Sequence, residues 1–273
     1  MIVLSEIWTY PIKGLGGIPL QQAFVEPRGL RHDRRWMLVD DQGRFVSQRE
    51  LASLTQLRTD FEADETLLVR HRERPDSVLR IPLYPETGGL DVADVSIWDD
   101  NLQAYIMPAP IGEWFSDQLG ASLRLAYMGA EHSRPTDRNY APEGQEVSFA
   151  DGYPFLLIGQ SALDALNAKL TVPVPMNRFR TNFVATGCPP HEEDNWRDFT
   201  IGGLPFRGVK PCARCIVPST DQTTGQRGAE PIKTLATYRQ QGHKILFGQN
   251  VIWMGDAKGG VVKVGDEILD LRF

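Results

Sequence analysis

Residues 207–225, RGVKPCARCIVPSTDQTTG, hold Cys212 and Cys215, with Arg214 between them and Lys210 just ahead. A thiolate is a soft metal ligand and a nucleophile, and neighbouring cations lower a thiol's pKa. Three chemistries are open to this pair. With Cys188-Pro189-Pro190-His191 upstream, the chain offers C-x2-H, a gap of twenty residues, then C-x2-C, which is the spacing of a structural zinc site. A dithiol redox pair needs its first cysteine at a helix N-terminus, whereas Ile216-Val217-Pro218 favours extended chain. Two thiols buried in a strand would account for Cys212. They account less easily for Lys210 and Arg214 crowding Cys215.

Other basic residues extend the pattern. Residues 177–186 alternate as a strand, with Phe179, Thr181 and Phe183 on one face and Arg178, Arg180 and Asn182 on the other. Such a face suits an anion; ion pairs from the arginines to Glu193 or Asp194 are the plainer alternative. Arg31-His32-Asp33-Arg34-Arg35 reads as a turn with an internal Asp–Arg pair. Its place before an apolar strand predicts a partly buried Arg34. Lys13 lies in a Gly-rich loop that lacks the P-loop pattern. His32, His71, His132 and His243 show no ligand spacing, no G-x-S-x-G elbow is present, and Glu192-Glu193-Asp194 reads as a solvated acidic turn.

The chain has 273 residues, 41% hydrophobic and 23% charged, with a net charge of −6. That describes a soluble globular protein with a sizeable core and no cationic face for broad nucleic-acid binding. Three cysteines do not make a secreted disulfide framework. The N-terminus lacks a signal-peptide pattern, and no apolar run approaches the ~20 residues that span a bilayer. No membrane association and a cytoplasmic address follow as expectations.

Strands are predicted at residues 2–10, 22–26, 35–40, 44–48, 67–71, 78–83 and 92–97, then at 155–158, 199–201, 204–206, 247–254 and 261–264. Helices are predicted at 111–119, closed by Gly120, after Ser161 as a cap, and from Pro231 to about Gln241. Residues 130–145 read as a long surface loop. Strands outnumber helices and no βαβ alternation appears, so the class is α+β with a β-rich, barrel-like second half. A boundary is placed at residue 122, giving domains 1–122 and 123–273.

The ordered set Tyr10-Pro11-Ile12-Lys13, Gly29-Leu30 with Asp33-Arg34, Gly43-Arg44-Phe45-Val46-Ser47-Gln48-Arg49, Pro154-Phe155-Leu156-Leu157, Arg178-Phe179-Arg180-Thr181-Asn182, Glu193-Asp194 with Trp196, Pro211-Cys212-Ala213-Arg214-Cys215, Asp221-Gln222-Thr223-Thr224-Gly225, Tyr238-Arg239 and Phe247-Gly248-Gln249-Asn250 resembles the molybdenum cofactor sulfurase C-terminal (MOSC) domain family. The N-terminal half is similar to that family's β-barrel N-terminal domain, and the whole to bacterial relatives of the mitochondrial amidoxime-reducing component. The resemblance implies a β-rich N-terminal domain plus a MOSC β-barrel-like domain with a few helices. It implies molybdenum held by a molybdopterin dithiolene, with Cys215 as the protein's metal ligand and catalytic thiolate. Lys13, Arg34, Arg180, Asn182, Arg214 and Asn250 would hold the pterin and its phosphate. At family level it also implies an association with pyridoxal phosphate binding. Gly14, Gly152-Tyr153, Ala213 and Asn250 stand where the mitochondrial relatives carry hydroxyl side chains.

The implied activity is reduction of small N-hydroxylated compounds: hydroxylamines, amidoximes or N-hydroxylated bases. A carrier of molybdenum cofactor or persulfide sulfur is the alternative, and a zinc-stabilised binding module a third. An iron–sulfur cluster normally takes four ligands, and the chain shows no haem or G-x-G-x-x-G motif and ends just after its last predicted strand. The electrons are therefore expected from a separate flavin, haem or iron–sulfur protein.

Overall fold

The strand Trp36–Val39 shows how this sequence folds. All four side chains are buried: Trp36 and Leu38 enter one hydrophobic core, while Met37 and Val39 enter another. The period-2 pleat of a strand delivers alternate residues to opposite faces, so an unbroken apolar run serves two cores. In the computed structural model, which describes residues 1–62 and 65–273, this strand sits inside a five-stranded sheet. The order is Asp91–Ile97, Asp100–Ile106, Arg124–Tyr127, Trp36–Val39, Ile12–Lys13.

Beside it and two three-stranded sheets stands a nine-stranded sheet. Its central path is Asp198–Ile201, Leu204–Ala213, Lys244–Trp253, Phe155–Gly159, Phe183–Thr186, Val3–Thr9. One face buries Phe155, Leu157, Phe183, Ala185 and Val251. The other buries Ile158 and Val184 against the helices Gln160–Asn167 and Ile232–Arg239. Strand pairing does not divide at residue 122. Val3–Thr9 pairs with Phe183–Thr186, Gln22–Glu26 with Gly260–Lys263, and Arg124–Tyr127 with Trp36–Val39. The architecture is α+β and β-rich, as the sequence predicts. Among the described residues no helix is long and apolar enough to cross a membrane.

Local expectations fare unevenly. The helix Ala109–Leu119 forms and ends on Gly120 in the left-handed conformation. The hairpin Asp198–Ile201/Leu204–Ala213 turns on Gly202-Gly203. The strand expected at residues 177–186 does not form along its length. Met176–Phe179 is a 3-10 turn after Pro175, Arg180 is left-handed (φ 55°), and extended pairing starts only at Phe183. Residues 44–48 are reduced to bridges, Phe45 to Val39 and Arg44 to Ser96. Ser161 caps nothing: the helix begins at Gln160 after Gly159, and the Gly159 N–H is met by the Glu193 carboxylate at 3.1 Å. The third helix ends at Arg239, because Gln240–Gln241 pairs with the start of Lys244–Trp253.

A hairpin missed from sequence joins Asp91–Ile97 to Asp100–Ile106, although Leu102, Ala104 and Ile106 alternate clearly. Its two-residue tip is Trp98-Asp99, and Trp98 has φ 54°. A tight hairpin loop gives such a position to glycine, and an L-residue there costs about 1–2 kcal/mol.

Candidate functional site: a cationic cleft around Cys215

Two guanidinium groups meet on one tyrosine. The guanidinium carbons of Arg34 and Arg180 each lie 4.4 Å from the ring centre of Tyr10. Both arginines have positive φ, 48° and 55°. Tyr10 is buried, its hydroxyl donates to the Thr181 carbonyl at 3.2 Å, and burial pushes its pKa up to about 12. The ring packs so closely on Gly17 that a Cβ there would lie 2.4 Å from it. Arg34 donates to Asp33 at 2.5 Å, to the Asn182 side-chain oxygen at 3.1 Å and to the Arg180 carbonyl at 3.0 Å. Arg180 donates to the Leu15 carbonyl at 2.6 Å; burial, and Arg34 beside it, bring its pKa down to about 10.

Lys13 ends the short strand Ile12–Lys13 and is buried. Its ammonium contacts Asp151 at 2.5 Å, and burial lowers its pKa against the pull of that carboxylate. The Asp151 side chain is 70% exposed, so water screens the pair and its net contribution is small. Arg134, itself buried, donates to the carbonyls of Ser148, Ala150 and Asp151 and so fixes the backbone that presents Asp151.

Arg214 donates to the Cys212 sulfur at 3.1 Å and to the carbonyl of Phe179, the residue before Arg180, at 2.8 Å. Its Nε is buried with no hydrogen-bond partner among the described residues. Lys210, expected beside Cys215, turns to Tyr140 and Asp137 instead, 3.9 Å from the ring centre and 3.6 Å from the carboxylate. Cys215 is half-buried between the end of Leu204–Ala213 and the turn Val217–Ser219. It is a free thiol with no hydrogen-bond partner among the described residues. Arg214 thus attends to Cys212 and Lys210 to Tyr140 and Asp137, leaving Cys215 open.

Lys13, Arg34, Arg180, Asn182, Arg214, Cys215 and Asn250 all line one cleft. Asn182 lines it without a strand face shared with Arg180. Its amide accepts from Arg34 and from the Leu156 N–H and donates to the Trp8 carbonyl at 3.1 Å. It holds the wall in place. Asn250 donates to the Lys210 carbonyl at 3.2 Å across two paired strands. Arg178 points elsewhere, to Asp221 at 2.6 Å, and Asp194 pairs with Arg239, so neither expected arginine partners Glu193 or Asp194. Sequence reading missed Asp151, Trp98, Gln48 and Arg49, which also line the cleft. Asp151-Gly152 is a turn dipeptide that could have flagged the first of them.

The cleft carries five cations, Lys13, Arg34, Arg49, Arg180 and Arg214, and one carboxylate, Asp151, in a chain whose net charge is −6. That imbalance, the unpartnered Arg214 Nε and the open Cys215 thiol fit an anionic group bearing a thiophilic metal. The zinc arrangement does not form. Among the described residues no three His, Cys, Asp or Glu side chains could share an ion. Cys188 is buried in the core, and the His191 ring packs 5.8 Å from Tyr238 and 5.9 Å from Phe247.

Nor is 192–194 a solvated turn. Glu193 is fully buried, and desolvation raises its pKa to about 7. Folding then favours the protonated acid, and this contribution is full below about pH 4.5 and lost as pH rises through 7. Glu193→Gln should remove the dependence. Measured by thermal melting at pH 5 and pH 8, wild type should lose about 2 kcal/mol relative to the variant. Parallel curves would show that Glu193 is ionised in the fold throughout.

Two family models match the chain: the MOSC N-terminal beta barrel domain over residues 1–122 and the MOSC domain over residues 144–269. Among curated relatives, mitochondrial amidoxime-reducing component 1 of Homo sapiens is 28% identical over 97% of this chain and 82% of its own length. The protein of the same name from Xenopus laevis is 26% identical over 97% and 81%. A molybdenum cofactor sulfurase of Oryza sativa is 29% identical over 90% of this chain, which spans 32% of that longer relative.

Proposed function

For a chain that belongs to the MOSC-domain proteins, with the family's N-terminal barrel domain ahead of the MOSC domain, we propose a molybdenum-cofactor-dependent reductase of N-hydroxylated compounds. The observation that carries this reading is the convergence of an unpartnered cysteine thiol and five cations on one cleft. When bound, the molybdopterin centre supplies two-electron removal of oxygen from an N–OH group. Cys215 would be its protein sulfur ligand. Lys13, Arg34 and Arg180 would bind the pterin phosphate, Arg being suited to paired N–H contacts with phosphate oxygens. Arg214 would reach the pterin from beside Cys212. Asp33 and Asn182 keep the Arg34 guanidinium aimed, so it need not reorganise when the anion arrives.

Electrons would come from a separate flavin, haem or iron–sulfur protein. All three cysteines are free, which suits a reducing compartment such as the cytoplasm. A second reading, a carrier of molybdenum cofactor or of persulfide sulfur on Cys215, draws support from the relatives named molybdenum cofactor sulfurase.

The test is protein purified from a host that makes molybdenum cofactor, assayed for metal content and for benzamidoxime reduction with an artificial electron donor. About one molybdenum per chain with turnover supports the reductase. Molybdenum without turnover, and transfer of the cofactor to a recipient apoenzyme, supports the carrier.

A further inference from the structure

We propose that Trp98 is the specificity-determining residue of the cleft: its indole is a platform for a flat, conjugated N-hydroxylated compound, with Asp151 accepting a hydrogen bond from that compound's edge. This rests on the reductase reading and names a specificity-determining residue within it.

Trp98 lines the same cleft as Cys215 and is 37% exposed, although it is the largest side chain available. The hairpin tip carries it in a backbone conformation that glycine would adopt without strain. Fold requirements alone do not favour a tryptophan there; such strain persists where the surroundings hold a side chain in place. Here the surroundings do so. Phe45 props the indole edge-on, with ring centres 4.5 Å apart. Its Nε1–H donates to Asp151 at 3.3 Å, which sets a carboxylate at the rim of the platform.

A planar conjugated group already stacks on the indole: the Arg49 guanidinium, 4.1 Å from a ring centre. The guanidinium is a flexible side chain's end that a flat ligand can replace or sandwich. Five cations and one carboxylate disfavour a positively charged ligand, so the fitting compound is neutral and flat, such as an aryl amidoxime or a hydroxylamino-heterocycle. An aliphatic N-hydroxylamine offers no π-face and gains less from the indole.

The test uses the molybdenum-loaded protein with Trp98→Gly, Trp98→Ala and Trp98→Phe. Affinity for benzamidoxime is measured by calorimetry on oxidised enzyme without an electron donor. The kcat/KM ratio of benzamidoxime to N-cyclohexylhydroxylamine, molybdenum content and melting temperature are measured alongside. Loss of the indole should weaken benzamidoxime binding about tenfold in the glycine and alanine variants and lower the kcat/KM ratio by a similar factor. Phenylalanine should recover most of both. The glycine variant should melt no lower than wild type, which excludes misfolding as the cause.

Three results overturn the proposal: no detectable benzamidoxime binding by wild type, an unchanged affinity and ratio in Trp98→Gly, or loss of molybdenum from that variant, which would put the indole against the cofactor. Binding that depends on Trp98 without turnover of either compound leaves the platform standing and removes the reductase reading.

Discussion

Cys215→Ala should retain essentially no molybdenum and lose benzamidoxime turnover by more than the roughly 100-fold that outer-shell changes cost a metal site. The argument is geometric. Cys215 is free, half-buried and without a hydrogen-bond partner among the described residues, in a wall where every neighbouring cation is oriented elsewhere. No other side chain of the cleft offers a sulfur except Cys212, whose Sγ accepts a hydrogen bond from Arg214 at 3.1 Å. Cys212→Ala should therefore keep its metal and lose only part of the activity, through a loosened Arg214. Metal analysis of both variants beside wild type makes the comparison. Equal molybdenum in wild type and Cys215→Ala would remove Cys215 as the ligand, and loss confined to Cys212→Ala would exchange the two roles.

Asp33→Ala should be among the most destabilising single changes in the chain, by about 3–5 kcal/mol. The carboxylate is buried and accepts from the Tyr10 N–H at 2.7 Å, the Thr9 hydroxyl at 3.2 Å and Arg34 at 2.5 Å. Its loss leaves a guanidinium with 12% of its side chain exposed and no ion-pair partner among the described residues, together with an orphaned backbone donor. In a protein of this size the melting temperature should fall by roughly 10 °C. Cofactor retention should fall with it, because Arg34 would no longer be aimed into the cleft. Asp33→Asn keeps an acceptor without the charge and should fall between the two. A melting temperature within about 2 °C of wild type for Asp33→Ala would contradict the buried ion pair.

Much of this was legible in the residues and some was not, for identifiable reasons. Alternation and turn chemistry reveal strands that are buried on one or both faces, so Val3–Thr9, Trp36–Val39 and the Gly202-Gly203 hairpin could be read directly. The segment around Arg180 could not. It alternates like a strand, yet Pro175 and the local 3-10 turn override the pattern. Left-handed backbone at Arg34 and Arg180 leaves no mark in side-chain periodicity, because the tertiary hydrogen bonds that stabilise it come from residues far along the chain. Lys210 misleads for the opposite reason: it is near Cys215 in sequence but turns away from it in space. The strand that carries Lys210 bulges against its neighbour between Gly208 and Lys210, and its ammonium meets Tyr140 and Asp137. Glu193 looked solvated because its neighbours are acidic, but a lone buried N–H, that of Gly159, draws it into the core.

The interleaved strands bear on how such a chain can be taken apart or recombined. The first strand of the N-terminal segment closes one side of Phe183–Thr186, and a strand near the C-terminus covers Gln22–Glu26. A cut at residue 122 would therefore separate hydrogen-bonded ladders. Each fragment would be left with unpaired, largely apolar strand edges, the kind of surface that templates aggregation. Swapping one segment for a relative's would demand a matched register on these ladders and on that of Arg124–Tyr127 with Trp36–Val39. Grafts of the hairpin tip at Trp98-Asp99 alone would disturb none of them. If Trp98 sets substrate preference as proposed, that preference can be changed at the tip while the strand pairing of the two segments stays matched.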